Sequence, residues 1–508
     1  MYSIINYRTI LQFYYKLKGK VIYVAGTKAM KQTMFDEFEI KGYWWIPGNR
    51  ENEVAGILFF SEDKIHLELI GSLSADLFAM GDEKYDVIHG FSDKGEEFTL
   101  LNVNVKNTQT NSPGFQTQTY SIHSFIVGGY FNNHEEICFH SLSFYPTYLT
   151  EWFSRPMFED TTTFEKDRSS IIGKQVKYNK VDTFNHYVDV LGATIEETYT
   201  SNFKADLSEE ILWTNKSGIK ITPNENKDLS WFRTNMYLLK DLLHLFVGHA
   251  TYFESIIFNG EEVKLEHTEK VIRKKYKYFF KQNKSKLKQK FHWSDVIVNF
   301  KDIEEGLNKI LNFWFEKHNA LEVVYNLHFD EFYKDMYINT TFLNTVQILE
   351  IYHRKIYEGK VYEKKEYRVL AKELKQILDG KFPEAFAKII GNKVDYGNEY
   401  SLSMRIEEIL NGFHETTRNL LVGTEEDIKK FIRQLVETRN YLTHYDSDKK
   451  KHILMEPFDK YYAIQRLRAI ATLILFKEVG LDETVMIDKI CNSKQYSYGL
   501  REAKKVLN

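Results

Sequence analysis

The chain has 508 residues, 43% hydrophobic and 27% charged, which excludes wholesale disorder and predicts two to four domains at roughly 100 to 200 residues each. With 68 Lys+Arg against 71 Asp+Glu, the net charge of -3 excludes a chain that is basic throughout and leaves only a local basic patch to be found by position. Two cysteines, Cys138 and Cys491, exclude a disulfide framework and a Cys-rich zinc site, and a reducing, cytoplasmic setting is expected.

Residues 1–35 are read as an extension ahead of the folded body. Arg8, Lys16, Lys18 and Lys20 interrupt its apolar residues before any signal-type segment develops. From Gly42 to Phe144 apolar residues recur with a period near two, as in Lys64-Ile65-His66-Leu67-Glu68-Leu69, and turn residues separate the runs, which predicts β-strands. His134, Glu136, Cys138 and His140 alternate along one predicted strand and share its face. Ligands spaced so evenly on one strand cannot wrap a tetrahedron without partners elsewhere, so no metal is expected there. Trp231 to Phe246 follows as a helix, because Leu238, Leu239, Leu242, Leu243 and Phe246 recur at three- and four-residue spacing, and Thr251 to Phe258 as a further strand.

Lys270 to Lys290 holds ten Lys or Arg residues and no acid. Tyr276, Tyr278, Phe279 and Phe280 interleave with Lys274 and Lys275. This composition suits phosphate attraction with base stacking, and equally a strand whose aromatic face is core and whose lysines are solvated. From Asp302 the spacing is helical almost throughout, with helices expected near 303–317, 339–358, 364–378, 402–413, 425–443 and 458–478. The best apolar run is the eight residues Ala469 to Phe476, broken only by Thr472 and too short to cross a bilayer, so no membrane partner is expected. The fold class expected is therefore α+β and multidomain: a β-rich domain over 36–265, a basic and helical connector over 266–335, and an all-α bundle over 336–508.

The helix expected near 425–443 opens with Thr424-Glu425-Glu426-Asp427, where Thr424 can cap free amides and the acids favour the positive helix end. Ile428, Ile432, Leu435 and Leu442 define one buried stripe, and Arg439 falls on it. A guanidinium in that position requires a carboxylate, a phosphate or a partner subunit, because burying an unpaired charge costs several kcal/mol. His444 follows five residues later, about 140° around and about 7.5 Å along an ideal helix, so both side chains can reach one rim at the helix end. Asn440 is the i+4 neighbour of His444 and can orient its imidazole. With 15 Arg and 16 His, an Arg followed by His after four to six positions is expected about 1.4 times by chance, and requiring Asn next to the Arg lowers this to about 0.1.

Arg-Asn-x-x-x-His closing a helix in an α-helical domain resembles the signature of HEPN ribonucleases, matched by Arg439, Asn440 and His444. Leu349-Glu350-Ile351-Tyr352-His353-Arg354 resembles the first HEPN helix of ApeA-like anti-phage proteins. Gly42-Tyr43-Trp44-Trp45-Ile46-Pro47-Gly48, followed by Gly56-Ile57-Leu58 and Leu67-Glu68-Leu69-Ile70-Gly71, is similar to the N-terminal domain of that family. The resemblance covers residue 36 to the end and implies a HEPN bundle at the C-terminus. It also implies that two copies pair, that two Arg/His sets meet in one cleft, and that RNA is cut without a metal or other cofactor. Under it, His444 is the general base or acid, Arg439 neutralises phosphoryl charge and Asn440 orients. The restraining domain would be the N-terminal one, with a phage-derived trigger.

His353 shares a face with Phe342, Val346, Leu349 and Ile356, which makes it a satisfied core histidine before it is a catalytic one. Glu350 and Arg354 are four apart and fit a surface ion pair. Glu350, with His353, is a candidate for supporting the site. Lys449, Lys450 and Lys451 follow His444 and, with Arg354, Lys274 and Lys275, are the candidate RNA contacts. No GxxxxGK[ST], HExxH or GxSxG segment occurs, so nothing supports ATP hydrolysis, zincin proteolysis or serine-esterase chemistry. The competing expectation is a non-catalytic dimeric module that binds nucleic acid or protein, with Arg439 and His444 structural.

Overall fold

The computed structural model describes residues 32–73, 84–110, 112–166, 170–206, 209–264, 271–445 and 451–508. The chain divides into two compact units that are not consecutive in sequence. One contains the residues up to Tyr145, Lys220–Phe232 and Phe253–Asn283; the other contains Pro146–Ile219, Arg233–Tyr252 and Lys284–Asn508.

In the first unit the period-two segments become strands β1 (Phe38–Trp45), β2 (Val54–Phe60), β3 (Ile65–Ile70), β4 (Lys84–Ser92), β5 (Glu97–Thr110) and β6 (Gln116–Val127). They pair in the order β6-β3-β2-β1-β4-β5, and β5 pairs back onto β6, so the six strands close on themselves. Closure removes the open edges that two free strands would expose. The inward side chains are the alternate ones, among them Leu58, Phe60, Leu67, Leu69, Leu100 and Phe125, all buried. Trp44 is fully buried against Phe98 at 5.8 Å between rings, with Gly90 beside it. A Cβ at Gly90 would lie 2.2 Å from the Trp44 ring, so only glycine lets β4 pass this indole.

Strands β7 (Ser141–Pro146), β8 (Phe253–Lys264) and β9 (Val271–Phe280) extend the same sheet from β6 in the order β9, β8, β7. β8 and β9 pair antiparallel, from Ile257 with Lys277 to Lys264 with Val271. Tyr276, Tyr278, Phe279 and Phe280 are buried, and Phe279 stacks on Phe125 at 4.9 Å. The aromatics of the basic stretch are therefore core side chains and unavailable for base stacking. The sequence overstated one strand: His134 to Glu136 lie in bends and turns, with only Cys138–Phe139 extended. Asn133 and Asn132 are the reason, since both donate to the Glu136 carboxylate and tie the segment into a turn.

The second unit contains two strand systems, the hairpin Phe158–Phe164/Ile171–Tyr178 and the strands Asn185–Val188, Ala193–Asp206 and the first part of Glu210–Pro223. It also takes Arg233 onward of the helix Leu229–Val247. Its helices from Leu307 onward are α1 (Leu307–Tyr333), α2 (Ile338–Ile356), α3 (Lys364–Lys381), α4 (Glu384–Tyr396), α5 (Leu402–Asn411), α6 (Glu415–Leu421), α7 (Glu425–His444), α8 (Pro457–Glu478), α9 (Glu483–Asn492) and α10 (Ser497–Leu507). α1 is much longer than the 303–317 expected, because its buried stripe runs on through Leu321, Tyr325 and Phe329. α8 is buried on every side from Ala463 to Phe476 apart from the partly exposed Arg468 and packs on α1, α2, α9 and α10, as an axial helix does. Among its ion pairs is a buried clamp: Arg468 Nε donates to Glu331 of α1 at 2.6 Å, and Thr345 of α2 donates to the other carboxylate oxygen at 2.7 Å.

Among the described residues, no helix is long and apolar enough to cross a membrane.

Candidate functional site

α7 begins with the capping box expected of it: Asp427 N–H donates to Thr424 Oγ1 at 3.3 Å, and Thr424 N–H donates to Asp427 Oδ2 at 2.8 Å. Ile428, Ile432, Leu435 and Leu442 are buried. The helix ends at His444, and Tyr445 takes a left-handed conformation with φ 53° that turns the chain away. Further on, residues 452 to 454 lie along α7, where Leu454 N–H donates to the buried Thr438 hydroxyl at 2.9 Å and His452 N–H to Glu437 at 2.8 Å.

Arg439 sits at the margin of the buried stripe, with 36% of its side chain exposed. Its guanidinium has two neighbours: Glu350 Oε2 of α2 at 3.8 Å, and Asn440 Oδ1, which accepts from Nη1 at 3.3 Å. Glu350 is thus the carboxylate partner that a stripe arginine demands, and it fixes the charged head on the rim without burying it. Asn440 differs from the expectation. Its amide oxygen faces the guanidinium one residue away, and no hydrogen bond joins it to His444, because the imidazole lies exposed at the helix end. Its exposure leaves the His444 side chain open to a substrate, as proton transfer by a side chain requires.

Glu350 also accepts from Arg354 at 3.1 Å, and Arg354 donates to Glu399 at 3.2 Å. Glu399 in turn holds Lys360 at 3.2 Å and lies 3.6 Å from Arg405. Arg354 is therefore an internal strut between two carboxylates, with its head still half exposed.

His353 is fully buried one residue before Arg354. Arg405 Nη1 lies 2.9 Å from His353 Nδ1, and Glu408 Oε2 lies 2.6 Å from Nε2. A guanidinium only donates, so Nδ1 accepts and the ring proton sits on Nε2, donating to Glu408. Burial lowers the His353 pKa, the Glu408 hydrogen bond opposes that, and Arg405 adds to it. A Cβ at Gly359 (φ +58°) would lie 2.8 Å from Arg405 and 2.9 Å from His353, so the backbone closes directly over the cluster. His353 is a satisfied core histidine that braces α2 against α5, one side of the support on which Glu350 stands. Arg405, Glu408 and Glu399 complete this support and were missed. Only the i+3 spacing of Arg405 and Glu408 on an amphipathic helix could have drawn attention to them.

Lys451 is exposed, and Lys449 and Lys450 lie outside the described residues. Lys274 and Lys275 belong to the other unit, on β9. Lys275 is exposed, while Lys274 packs over the Tyr276 ring at 5.2 Å and faces Glu97 at 3.8 Å. Among the described residues no group of three or more His, Cys, Asp or Glu side chains is placed to hold a metal ion.

Two family models match the chain. Residues 39–314, more than half of it, match ApeA N-terminal domain 1, and residues 343–485 match the Apea-like HEPN domain. The chain belongs to the ApeA-like HEPN family. No curated protein and no solved structure matches it. The HEPN match runs from within α2 to within α9, so it encloses the Glu350, His353, Arg439 and His444 positions. Membership implies an anti-phage HEPN nuclease, and HEPN domains are in general ribonuclease-like.

Proposed function

We propose that the protein is an RNA endonuclease of an anti-phage, abortive-infection defence system, acting in the cytoplasm through a site made by two copies of the chain. In this scheme the ribose 2′-hydroxyl attacks the adjacent phosphate. His444 removes its proton or protonates the leaving 5′-oxygen, and Arg439 neutralises the charge that builds on the phosphoryl oxygens. Asn440 steers the guanidinium, which matches where its amide oxygen lies. Lys451, with the two lysines before it, draws the phosphate backbone towards the helix end. The chemistry uses only an imidazole and a guanidinium, and needs the 2′-hydroxyl that DNA lacks.

The observation that carries this reading is the pairing of an exposed His444 with an Arg439 held on the rim of α7 by Glu350. An uncontrolled nuclease would damage its own host, so the β-rich domain restrains the HEPN domain until a phage-derived trigger arrives.

The test is cleavage of total RNA in EDTA by wild type, Arg439→Ala and His444→Ala, with phage restriction scored in parallel. Loss of a positioned acid–base group costs about 10²- to 10⁴-fold in rate. Wild-type restriction by both variants at equal stability would leave the non-catalytic binding module as the answer.

A further inference from the structure

α3 and α4 form a helical hairpin that stands apart from the bundle core. Across it only Leu378, Ala387 and Val394 are buried, while Leu370, Leu374, Ile377, Phe386 and Ile389 are each 42–58% exposed. These side chains are not scattered. On α3, Leu370, Leu374 and Ile377 fall at i, i+4 and i+7, a single stripe beside the row Tyr367, Ala371 and Leu378 that meets α4. On α4, Phe386 and Ile389 form a stripe beside Ala387 and Val394, which meet α3. Each exposed stripe is displaced by about a quarter turn in the same sense from its own contact row at 100° per residue. The two helices are antiparallel, with Tyr367 donating to the Val394 carbonyl and Lys375 pairing with Asp395 at 2.7 Å. Equal rotation on antiparallel helices brings both stripes to the same side of the hairpin. The result is one continuous two-helix apolar face, with Phe382 at its turn and Tyr396, 75% exposed, at its other end.

We infer that this face is an interface with a second copy of the chain. Its exposed area decides the kind of partner. From the printed exposures, Phe382, Tyr396 and the five stripe residues present roughly 700 Å², close to the ~800 Å² per partner of a stable protein–protein interface. A single solvated hairpin has no use for so large an apolar patch. Its charges also suit self-association. Glu366, Glu373 and Lys381 lie along the α3 stripe and Lys393 along the α4 stripe, and none of the four makes an ion pair within the described residues. A two-fold axis that lays α3 of one copy against α4 of the other sets the two glutamates opposite Lys393 twice over.

The hairpin is also rooted beside the catalytic candidates. Its base is closed by Val361 N–H to Asn398 O at 3.0 Å and Tyr400 N–H to Gly359 O at 2.9 Å, and Glu399 there holds the Arg354 that pairs with Glu350. Association through the hairpin therefore joins two copies next to their Arg439 sites. That functional consequence rests on the nuclease reading; the interface itself does not.

The experiment is sedimentation of the full chain at tens of micromolar, wild type against a Leu374→Glu/Phe386→Glu variant and a conservative Leu374→Met control. All are checked for an unchanged circular dichroism spectrum and melting temperature. Wild type and Leu374→Met should sediment as dimers or larger, and the double variant as single chains with association at least 100-fold weaker. The inference fails if the folded double variant keeps the wild-type mass. It also fails if wild type is a single chain at this concentration, including the case in which it then binds phosphatidylglycerol vesicles or oligo-uridine through this face. Arg439→Ala should keep the wild-type mass while losing cleavage, so failure of the interface and failure of the nuclease reading show up in different measurements.

Discussion

Replacing Glu350 by glutamine keeps the shape of the side chain and removes the one charge that faces both Arg439 and Arg354, at 3.8 and 3.1 Å. At an effective dielectric near 20 the Arg439 contact is worth about 4 kcal/mol before solvent screening and side-chain entropy are counted. With 36% of the arginine and 21% of the glutamate side chain exposed, about 1 kcal/mol survives for each pair. Stability should therefore fall by about 1–2 kcal/mol, a shift of a few degrees in melting temperature. Catalysis should suffer differently. An Arg439 head released from its rim position loses alignment with the phosphate, and about 1.4 kcal/mol of lost transition-state stabilisation lowers kcat tenfold. The assay is single-turnover cleavage of a defined RNA, with kcat and KM separated and the melting temperature measured on the same samples. The expected pattern is a tenfold lower kcat with KM nearly unchanged, partly restored by Glu350→Asp. If Glu350→Gln cleaves within twofold of wild type while Arg439→Ala is inactive, the carboxylate does not position the arginine and this account of the site is wrong.

Two further outcomes follow from the buried groups around the site. Arg468→Met leaves the Glu331 carboxylate, fully buried, with only the Thr345 hydroxyl for company, and chemical denaturation should show a loss of about 3–5 kcal/mol; adding Glu331→Leu should recover most of it. Mild acid should destabilise the second unit through its buried imidazoles. Burial, with Arg468 nearby, lowers His328 to about 3, and burial, with Lys288 nearby, lowers His249 to about 4. Below the unfolded value near 6.5 the unfolded chain takes up protons that the folded chain refuses. The stability these groups confer is thus complete above about pH 6.5 and drains away as pH falls towards 4 and then 3. At pH 5 His328 alone accounts for about 2 kcal/mol, read from melting curves across pH 5–8, and His328→Leu should flatten that dependence by a similar amount.

Local physics made much of this legible in advance. Period-two runs announced the strands from Gly42 onward, and three- and four-residue spacing announced α2, α3, α5, α7 and α8 close to their observed bounds. The Thr424–Asp427 cap marked the start of α7, and Arg439-Asn440-x-x-x-His444 marked its end. The short helices α4, α6, α9 and α10 went unnamed. Each spans at most 13 residues and is held by packing on its neighbours. The basic stretch after Lys270 was ambiguous because composition cannot say which face of a strand is inside; pairing of β9 with β6 and β8 settled that its aromatics are core.

What the sequence determined by itself was the alternation of element types, the buried stripe of α7 and the placement of an arginine and a histidine at one helix end. These depend only on residues within a few turns of each other. The tertiary structure alone decided that Glu350, 89 positions before Arg439, is the carboxylate beside it, that Asn440 turns to the guanidinium, and that His353 is locked between Arg405 and Glu408. Such pairings are set by how α2, α5 and α7 cross. Helix crossing depends on the summed packing of many side chains distant in sequence, and no local period records it.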